Sequence, residues 1–323
     1  MMQFDVVVVG EINADLILRG NVDPAFGQVE QLVDDANLMI GSSAAIFACG
    51  LARLGLKTTI IGKVGDDIFG KYMVESLNAR NVDTSGVIVD PKIPTGLTLI
   101  LAKKEDRAIL TYLGSISAMR YSEIDFSLIY CSRHLHLGGF FLLNNLRPEI
   151  PKLFHTARDR GLSISMDTNY DPAGKWGGGL QEAIKHIDVL LPNDREARAI
   201  AGEDNLDRAV DILAKSVPML GIKLGRHGAM CRRGSEETML QRSLPVEVID
   251  TVGAGDSFDA GFVYGYLNKW NLTKTLKLAV SCGSLSTREA GGTEAQAALS
   301  EAMKFVEKME NSEIRDDKIE LDR

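Results

Sequence analysis

The stretch DTVGAGDSFDAGF, from Asp250 to Phe262, sets Gly253, Ala254 and Gly255 directly before Asp256, at a point where a helix is expected to begin. A turn of small residues leading into a helix leaves several backbone N–H groups converging on one spot, and the helix dipole adds positive potential there. Such a spot attracts phosphate. A carboxylate beside it repels the same ligand unless it has a chemical task, and accepting the proton of a hydroxyl that attacks a phosphoryl group is such a task. The competing reading makes Asp256 an N-terminal cap and the glycines a tight turn. Two other phosphate-binding patterns are not met: the chain has no G-x-x-x-x-G-K-[ST], and GAGDSF lacks the third glycine of the dinucleotide fingerprint.

A site of this kind needs elements that deliver it. FDVVVVGEINADLIL reads as a buried strand of β-branched residues ending at Gly10, followed by polar residues where a strand would meet a site. SSAAIFACGLARLGL reads as an apolar helix and KTTIIGKVGDD as a strand running into a loop. From about Ser132 onward the rhythm is regular. Strands are expected at RHLHLGGFF, LSISMDTN, DVLLPN and VPMLGIKLG, with helices near Pro148 to Arg160, near Leu180 to Ile187 and over DREARAIAG. That alternation implies an α/β fold with a mostly parallel sheet covered by helices on both faces. GQVEQLVDDANLMIGSSAA and TGLTLILAKKEDRAILTYLG instead suit exposed strands off the main sheet, the second pair turning at Lys103 to Asp106. Helices are predicted over GDSFDAGFVYGYLNKW and TKTLKLAVSCGSLSTREA, with a charged final helix and a polar tail.

At 323 residues and 45% apolar content the chain can bury a full core. A formal charge of −8 argues against general nucleic-acid binding, because phosphate backbones are held by excess Lys and Arg. Cys49, Cys131, Cys231 and Cys282 lie far apart with no C-x-x-C pair, so neither a disulfide framework nor a zinc module is suggested, and a reducing cytoplasm fits. The first apolar run breaks at Gly10 and Glu11, too early for a signal peptide or membrane span.

DTVGAGDSFDAGF closely resembles the C-terminal signature of the ribokinase-like, or PfkB, carbohydrate kinases. The resemblance implies a ribokinase-like three-layer sandwich: one domain over residues 1–310, flap strands inserted at about 15–40 and 94–114, and a polar tail over 311–323. It implies that Asp256 is the catalytic base and that the N–H groups of Gly253, Ala254, Gly255 and Asp256 form an anion hole. Asp250 and Thr251, with Gly291 or Gly292, would lie near a monovalent cation such as K⁺.

Other motifs fall in the family's order. Gly10, Asn13 and Asp15 match its opening strand, and by resemblance Asn13 and Asp15 hydrogen-bond sugar hydroxyls. IGSSAAIFACGLARLG keeps Gly41 and the LARLG of Leu51 to Gly55, but Ser42 replaces a glycine and Ile46 replaces a substrate-contacting Asn. That exchange is expected to remove one hydroxyl contact and make one wall of the pocket apolar. LPNDREA resembles the N-x-x-E motif, whose Asn193 and Glu196 would hold Mg²⁺ through water. For ATP, DTNYDPAGKW offers Asn169 beside Asp167, IKLGRHGAM offers Lys223, Gly225 and Gly228, and CGSLSTREAGG offers Cys282 or Gly283 near the base. Lys223 could equally be a salt-bridge partner at a strand end.

His134 and His136 would face one way on a strand, but with no third ligand at a matching spacing they read as hydrogen-bonded core histidines. Lys103 and Arg107 read as exposed turn residues, and Asp66 and Asp67 as a helix cap. The expected function is ATP- and Mg²⁺-dependent phosphorylation of a hydroxyl on a small sugar-like substrate, with a homodimer through the flap and without nucleic-acid or membrane partners. Two alternatives stand beside it: a nucleoside kinase of the same family, and a catalytically silent sugar or nucleotide sensor. An NAD-dependent oxidoreductase is disfavoured by the missing glycine.

Overall fold

A computed structural model describes residues 2–103 and 106–311. In chain order its first half contains β1 (Phe4–Val9), β2 (Asn13–Arg19), β3 (Asp35–Ile40), α1 (Ser43–Arg53), β4 (Thr58–Gly65), α2 (Ile68–Ala79), β5 (Val82–Asp90), β6 (Gly96–Lys103) and β7 (Asp106–Tyr112). Then come α3 (Phe126–Tyr130), β8 (Ser132–Leu137), α4 (Ile150–Asp159), β9 (Ser163–Met166), α5 (Leu180–Ile184), β10 (Val189–Leu190), α6 (Asp194–Ala201) and α7 (Leu206–Leu213). The last part holds β11 (Met219–Lys223), β12 (Ala229–Arg233), β13 (Met239–Gln241), α8 (Ala254–Leu267), α9 (Leu272–Leu285) and α10 (Leu299–Asn311).

Nine strands form one sheet in the order β13-β12-β11-β10-β9-β8-β1-β4-β5. All neighbours from β11 to β5 are parallel, and the antiparallel pairs are those of β12 with β11 and with β13. The run Val6 to Val9 shows why the chain reads as unbroken apolar residues here. Val6 and Val8 join the core under α1, α8 and α9, whereas Val7 and Val9 join the core under α3, α4 and α5. Successive side chains point to opposite faces, so a strand covered on both sides needs every position apolar.

A second sheet has the order β3-β2-β6-β7, with β2 and β6 parallel and the outer pairs antiparallel. It contains the alternating stretches singled out in the sequence, with two differences. The segment after Gly10 does not simply trail off: Asn13–Arg19 is a full strand of this second sheet. Conversely, strand structure between Gln28 and Met39 starts only at Asp35, and Phe26, Val29 and Leu32 before it are exposed. Of the turn expected from Lys103 to Asp106, Lys103 and Asp106 are paired at the ends of β6 and β7, whereas Lys104 and Glu105, like the tail beyond Asn311, lie outside the described residues.

Several elements went unread, among them α3, β12, β13, α7 and β5. In α7, Leu206, Ala209, Val210 and Leu213 are buried at helical spacing and Asn205 caps the start by accepting from Arg208 N, a legible signal. In β5 the sequence VDTSGVIVD has no clean period because this edge strand is mostly half-buried. Asp67 caps α2 as expected, accepting from Gly70 N at 2.9 Å. Among the described residues no helix is long and apolar enough to cross a membrane.

Candidate active site

The N-terminus of α8 comes to the ends of β1, β9 and β11, where an open α/β sheet binds ligands. Gly253 is the N-cap of α8, left-handed at φ 71, and offers no side-chain cap to the first turn. A Cβ at this position would lie 2.6 Å from Gly292 Cα and 2.9 Å from Ile46 Cγ2, so only glycine fits. Asp256 therefore stands inside the first turn and is not the cap, which removes the competing reading of the motif. The N–H groups of Ala254, Gly255 and Asp256 belong to the set a helix leaves without intrahelical partners.

Asp256 is buried, and burial, followed by the charge of Asp167, pushes its carboxyl up to about 6, while Lys223 and a hydrogen bond with Ser43 act against the rise. Asp15, on β2, is pushed up to about 7 by burial and then by the charge of Asp256. The two carboxylates thus face a shared space, Asp15 from β2 of the second sheet and Asp256 from the first turn of α8. Asn13 Nδ2 donates to Asp15 Oδ1 at 3.0 Å and to Thr98 Oγ1 at 3.2 Å, confirming that Asn13 and Asp15 share one side of the strand. A Cβ on Gly41 would meet Asp15 Oδ1 at 2.0 Å, so glycine there makes room for the carboxylate.

Ser42 does something other than face a ligand. Its hydroxyl donates to the Glu11 carbonyl and accepts from Ala45 N at 3.0 Å, capping α1 from a left-handed φ of 72. Ile46 is a correction of the expected apolar pocket wall. Its side chain is 3% exposed and packs on Gly253 and Gly292, beneath the turn that carries the α8 amides. Gln296 Nε2 joins the same region, donating to the Ile46 carbonyl at 2.9 Å and to Ser257 Oγ at 3.1 Å, and so tying α1 to α8.

Asn169, left-handed at φ 55, is engaged at both ends: Oδ1 accepts from Gly139 N at 2.9 Å and Nδ2 donates to Ser43 Oγ. Asn193 and Glu196 form a reciprocal capping box, each side chain accepting from the other's backbone N–H at 2.9 Å. With those oxygens already engaged, the pair fits Mg²⁺ held through water better than direct ligation. Lys223 is a salt-bridge partner at the strand end, its Nζ 2.7 Å from Asp167 Oδ2 and 3.0 Å from Asp259 Oδ2. Burial works against that ammonium's charge, but Asp167 and Asp259 more than offset it and hold its proton tightly. Asp167, Asp256 and Asp259 offer oxygens within 4.8 Å of one another, and the Lys223 ammonium occupies the cation position between two of them.

The remaining nucleotide candidates divide. Gly225, left-handed at φ 55, has open space where a side chain would go, as close approach of a ligand requires. Gly228 is needed by packing, since a Cβ would sit 2.0 Å from Gln241 O. Gly283 lies beside Ala254 O and Phe258, at the first turn of α8. Cys282 is a correction: its thiol is buried in the apolar core, against Gly261, and is pushed up to about 12 by burial, so it presents nothing to a nucleotide. Asp250 is also already occupied, accepting from Arg19 Nη2 at 3.0 Å, Val252 N at 3.0 Å and Gly291 N at 3.1 Å, while the carbonyl of its neighbour Thr251 accepts from Ala254 N at 3.3 Å. The histidines behave as read: His134 bonds Ser163 and Ser165, and His136 bonds Ser165 and stacks on Phe47.

The description "pfkB family carbohydrate kinase" matches residues 3–298. The chain belongs to the PfkB family of carbohydrate kinases. It is 28% identical to a 5-dehydro-2-deoxygluconokinase of Geobacillus kaustophilus over 95% of both sequences. It is also 28% identical to a 2-dehydro-3-deoxygluconokinase of Bacillus subtilis, over 90% of this chain and 91% of that one. In fold it matches Arabidopsis thaliana ribokinase complexed with ribose and ATP, with a TM-score of 0.81 at 22% identity over 94% of this chain and 99% of the other. Adenosine kinase from Sinorhizobium meliloti matches with a TM-score of 0.82 at 22% identity over 94% and 99%. Within this PfkB framework, sequence reading missed Glu11, Ser43 and Asp259. Asp259 was findable, because it lies one turn beyond Asp256 on the same helix face. Glu11 and Ser43 carry no periodic signal.

Proposed function

We propose that this PfkB protein is an ATP-dependent kinase that phosphorylates a hydroxyl of a small sugar-like molecule, with Asp256 as general base. The observation that carries the reading is Asp256 itself: a buried carboxylate in the uncapped first turn of α8, electrostatically coupled to Asp15 on the facing sheet. Bound Mg-ATP would supply the phosphoryl group and the divalent charge that neutralises it. Asn193 and Glu196 would hold the metal through water, and the open face of Gly225 would admit the nucleotide. Asp256 accepts the proton of the attacking hydroxyl, while the amides of Gly253, Ala254, Gly255 and Asp256 stabilise negative charge developing on the transferred group. Asn13 and Asp15 orient the substrate's other hydroxyls. The sheet β3-β2-β6-β7 acts as a lid that excludes water during transfer.

Among sugar-like substrates a sugar acid is favoured. Arg107, on β7, lowers the carboxyls of both Asp15 and Asp256 through its charge, so a guanidinium stands near the acceptor space. Two relatives are named as kinases of dehydro-deoxygluconates, which are acids. A second copy pairing through the lid would cover exposed Leu38, Leu110 and Tyr112, which share one face of the second sheet, and sedimentation of the purified chain tests this homodimer.

The deciding experiment is ADP release with Mg-ATP across keto-sugar acids, pentoses, hexoses, polyols and nucleosides. A sugar acid as the single strong acceptor supports the full reading, and a nucleoside would redirect it. A sensor shifts in melting temperature with its ligand and releases no ADP.

A further inference from the structure

Arg19 ends β2, in the second sheet, and Asp250 begins the loop that runs through Thr251 and Val252 into the Gly253 turn. They are 231 positions apart in sequence, and Arg19 Nη2 lies 3.0 Å from Asp250 Oδ2. The contact is not a stray surface pair. Arg19 and Asp250 are 27% and 13% exposed at their side chains, and Val252 buries itself beside them against Ile17 of β2 and Ile100 of β6, with Met39 and Ala102 packed on the cluster. Three of the carboxylate's acceptor positions are taken: Oδ1 accepts from Val252 N, and Oδ2 accepts from Gly291 N together with the guanidinium.

A monovalent cation is expected on this loop by resemblance, and these residues do not fit one. A cation held by Asp250 would lie against, and would have to displace, a tethered guanidinium that already sits 3.0 Å from its Oδ2 and never loses its charge. Both K⁺ and Arg19 would do the same electrostatic work, placing a positive charge beside the peptides that lead into the α8 turn. The guanidinium is covalently attached, so it needs no solution concentration to be present, only the docking of the second sheet on the loop.

We infer that Arg19 is a positioning residue that takes the place of the monovalent cation, so that the protein works without K⁺ and receives its loop cation from the lid. The inference rests on the kinase reading for its activity arm only. Arg19 also approaches Asp35 Oδ2 at 3.4 Å, within the same sheet, which steadies the guanidinium in its orientation.

The test compares ADP release with potassium chloride and with tetramethylammonium chloride at equal ionic strength. Wild-type rates are expected to agree within about twofold, whereas Arg19→Met should lose about tenfold in tetramethylammonium and regain most of it in potassium. Arg19→Lys, which keeps a cation, should remain independent of potassium. A wild-type loss of about tenfold without potassium overturns the inference, and so does an Arg19→Met protein as active as wild type in both salts. The wild-type comparison decides even if Arg19→Met does not fold. Melting curves in the two salts give a readout that needs no substrate: the wild type should not shift, and a potassium-specific stabilisation of the wild type overturns the inference. If no acceptor releases ADP in either salt the kinase reading fails, while the melting curves still decide the role of Arg19.

Discussion

Ile46 Cγ2 lies 2.9 Å from where a side chain on Gly253 would begin, so the residue that departs from the family pattern supports the phosphate-facing turn from below. Two variants follow from that contact. Gly253→Ala forces a left-handed backbone onto a residue with Cβ and drives it into Gly292, which should cost about 1–3 kcal/mol and most of the turnover. Ile46→Asn puts an amide into an apolar contact and should cost a similar amount, roughly 1–3 kcal/mol, without improving sugar affinity. Denaturant unfolding and substrate KM measure both; a tighter KM in a stable Ile46→Asn protein would return Ile46 to the pocket wall.

As a base, Asp256 must be ionised, and its carboxyl is pushed up to about 6 by burial and then by Asp167. Below that pH the protonated fraction grows, so kcat/KM should fall about tenfold per pH unit and level off above it. Asp256→Asn should retain fold and nucleotide affinity while losing turnover by about a thousandfold. A pH profile flat through this range, or near-normal turnover in the variant, removes Asp256 from the role.

Glu11 is raised from 4.5 to about 7, by burial first and with a contribution from Asp256, and its Oε2 has no hydrogen-bond partner. Between those two values the folded protein holds a proton that the unfolded chain has released. Stability from this group is therefore present below about 4.5 and lost as pH rises through about 7. Glu11→Gln removes the titration. Relative to wild type it should gain roughly 1–3 kcal/mol between pH about 5 and about 8, read as the difference in unfolding free energy at the two pH values. Equal pH dependence in both proteins contradicts the burial of an ionisable carboxyl.

Lys223→Met leaves the Asp167 carboxylate buried without its cation and should destabilise by about 3–5 kcal/mol. Adding Asp167→Asn removes the orphaned charge and should restore about half of that loss. Because the ammonium is held by two carboxylates, Mg-ATP affinity measured by calorimetry should change by less than about threefold. A larger loss of affinity with unchanged stability would assign Lys223 to the phosphates.

The sequence alone determined whatever depends on neighbours along the chain. Val6 to Val9 announced a doubly covered strand because every position is apolar, and Gly253 to Asp256 announced a turn and helix start because small residues and a carboxylate have few other uses in that order. Asn13, Asp15, Asn193 and Glu196 differ: as short polar patterns at strand ends they say little alone, and their expected roles came only from the resemblance to the PfkB family. Tertiary structure decided what depends on which strand ends meet. Lys223 finds Asp167 and Asp259 only because β9, β11 and α8 converge, and Arg19 finds Asp250 only because the second sheet docks on the loop before α8. The same convergence buries the Cys282 thiol between α8 and α9 and turns Ile46 toward Gly253. Side-chain identity states what a residue can bond, but burial and charge pairing are set by partners from distant segments, and no local pattern records them.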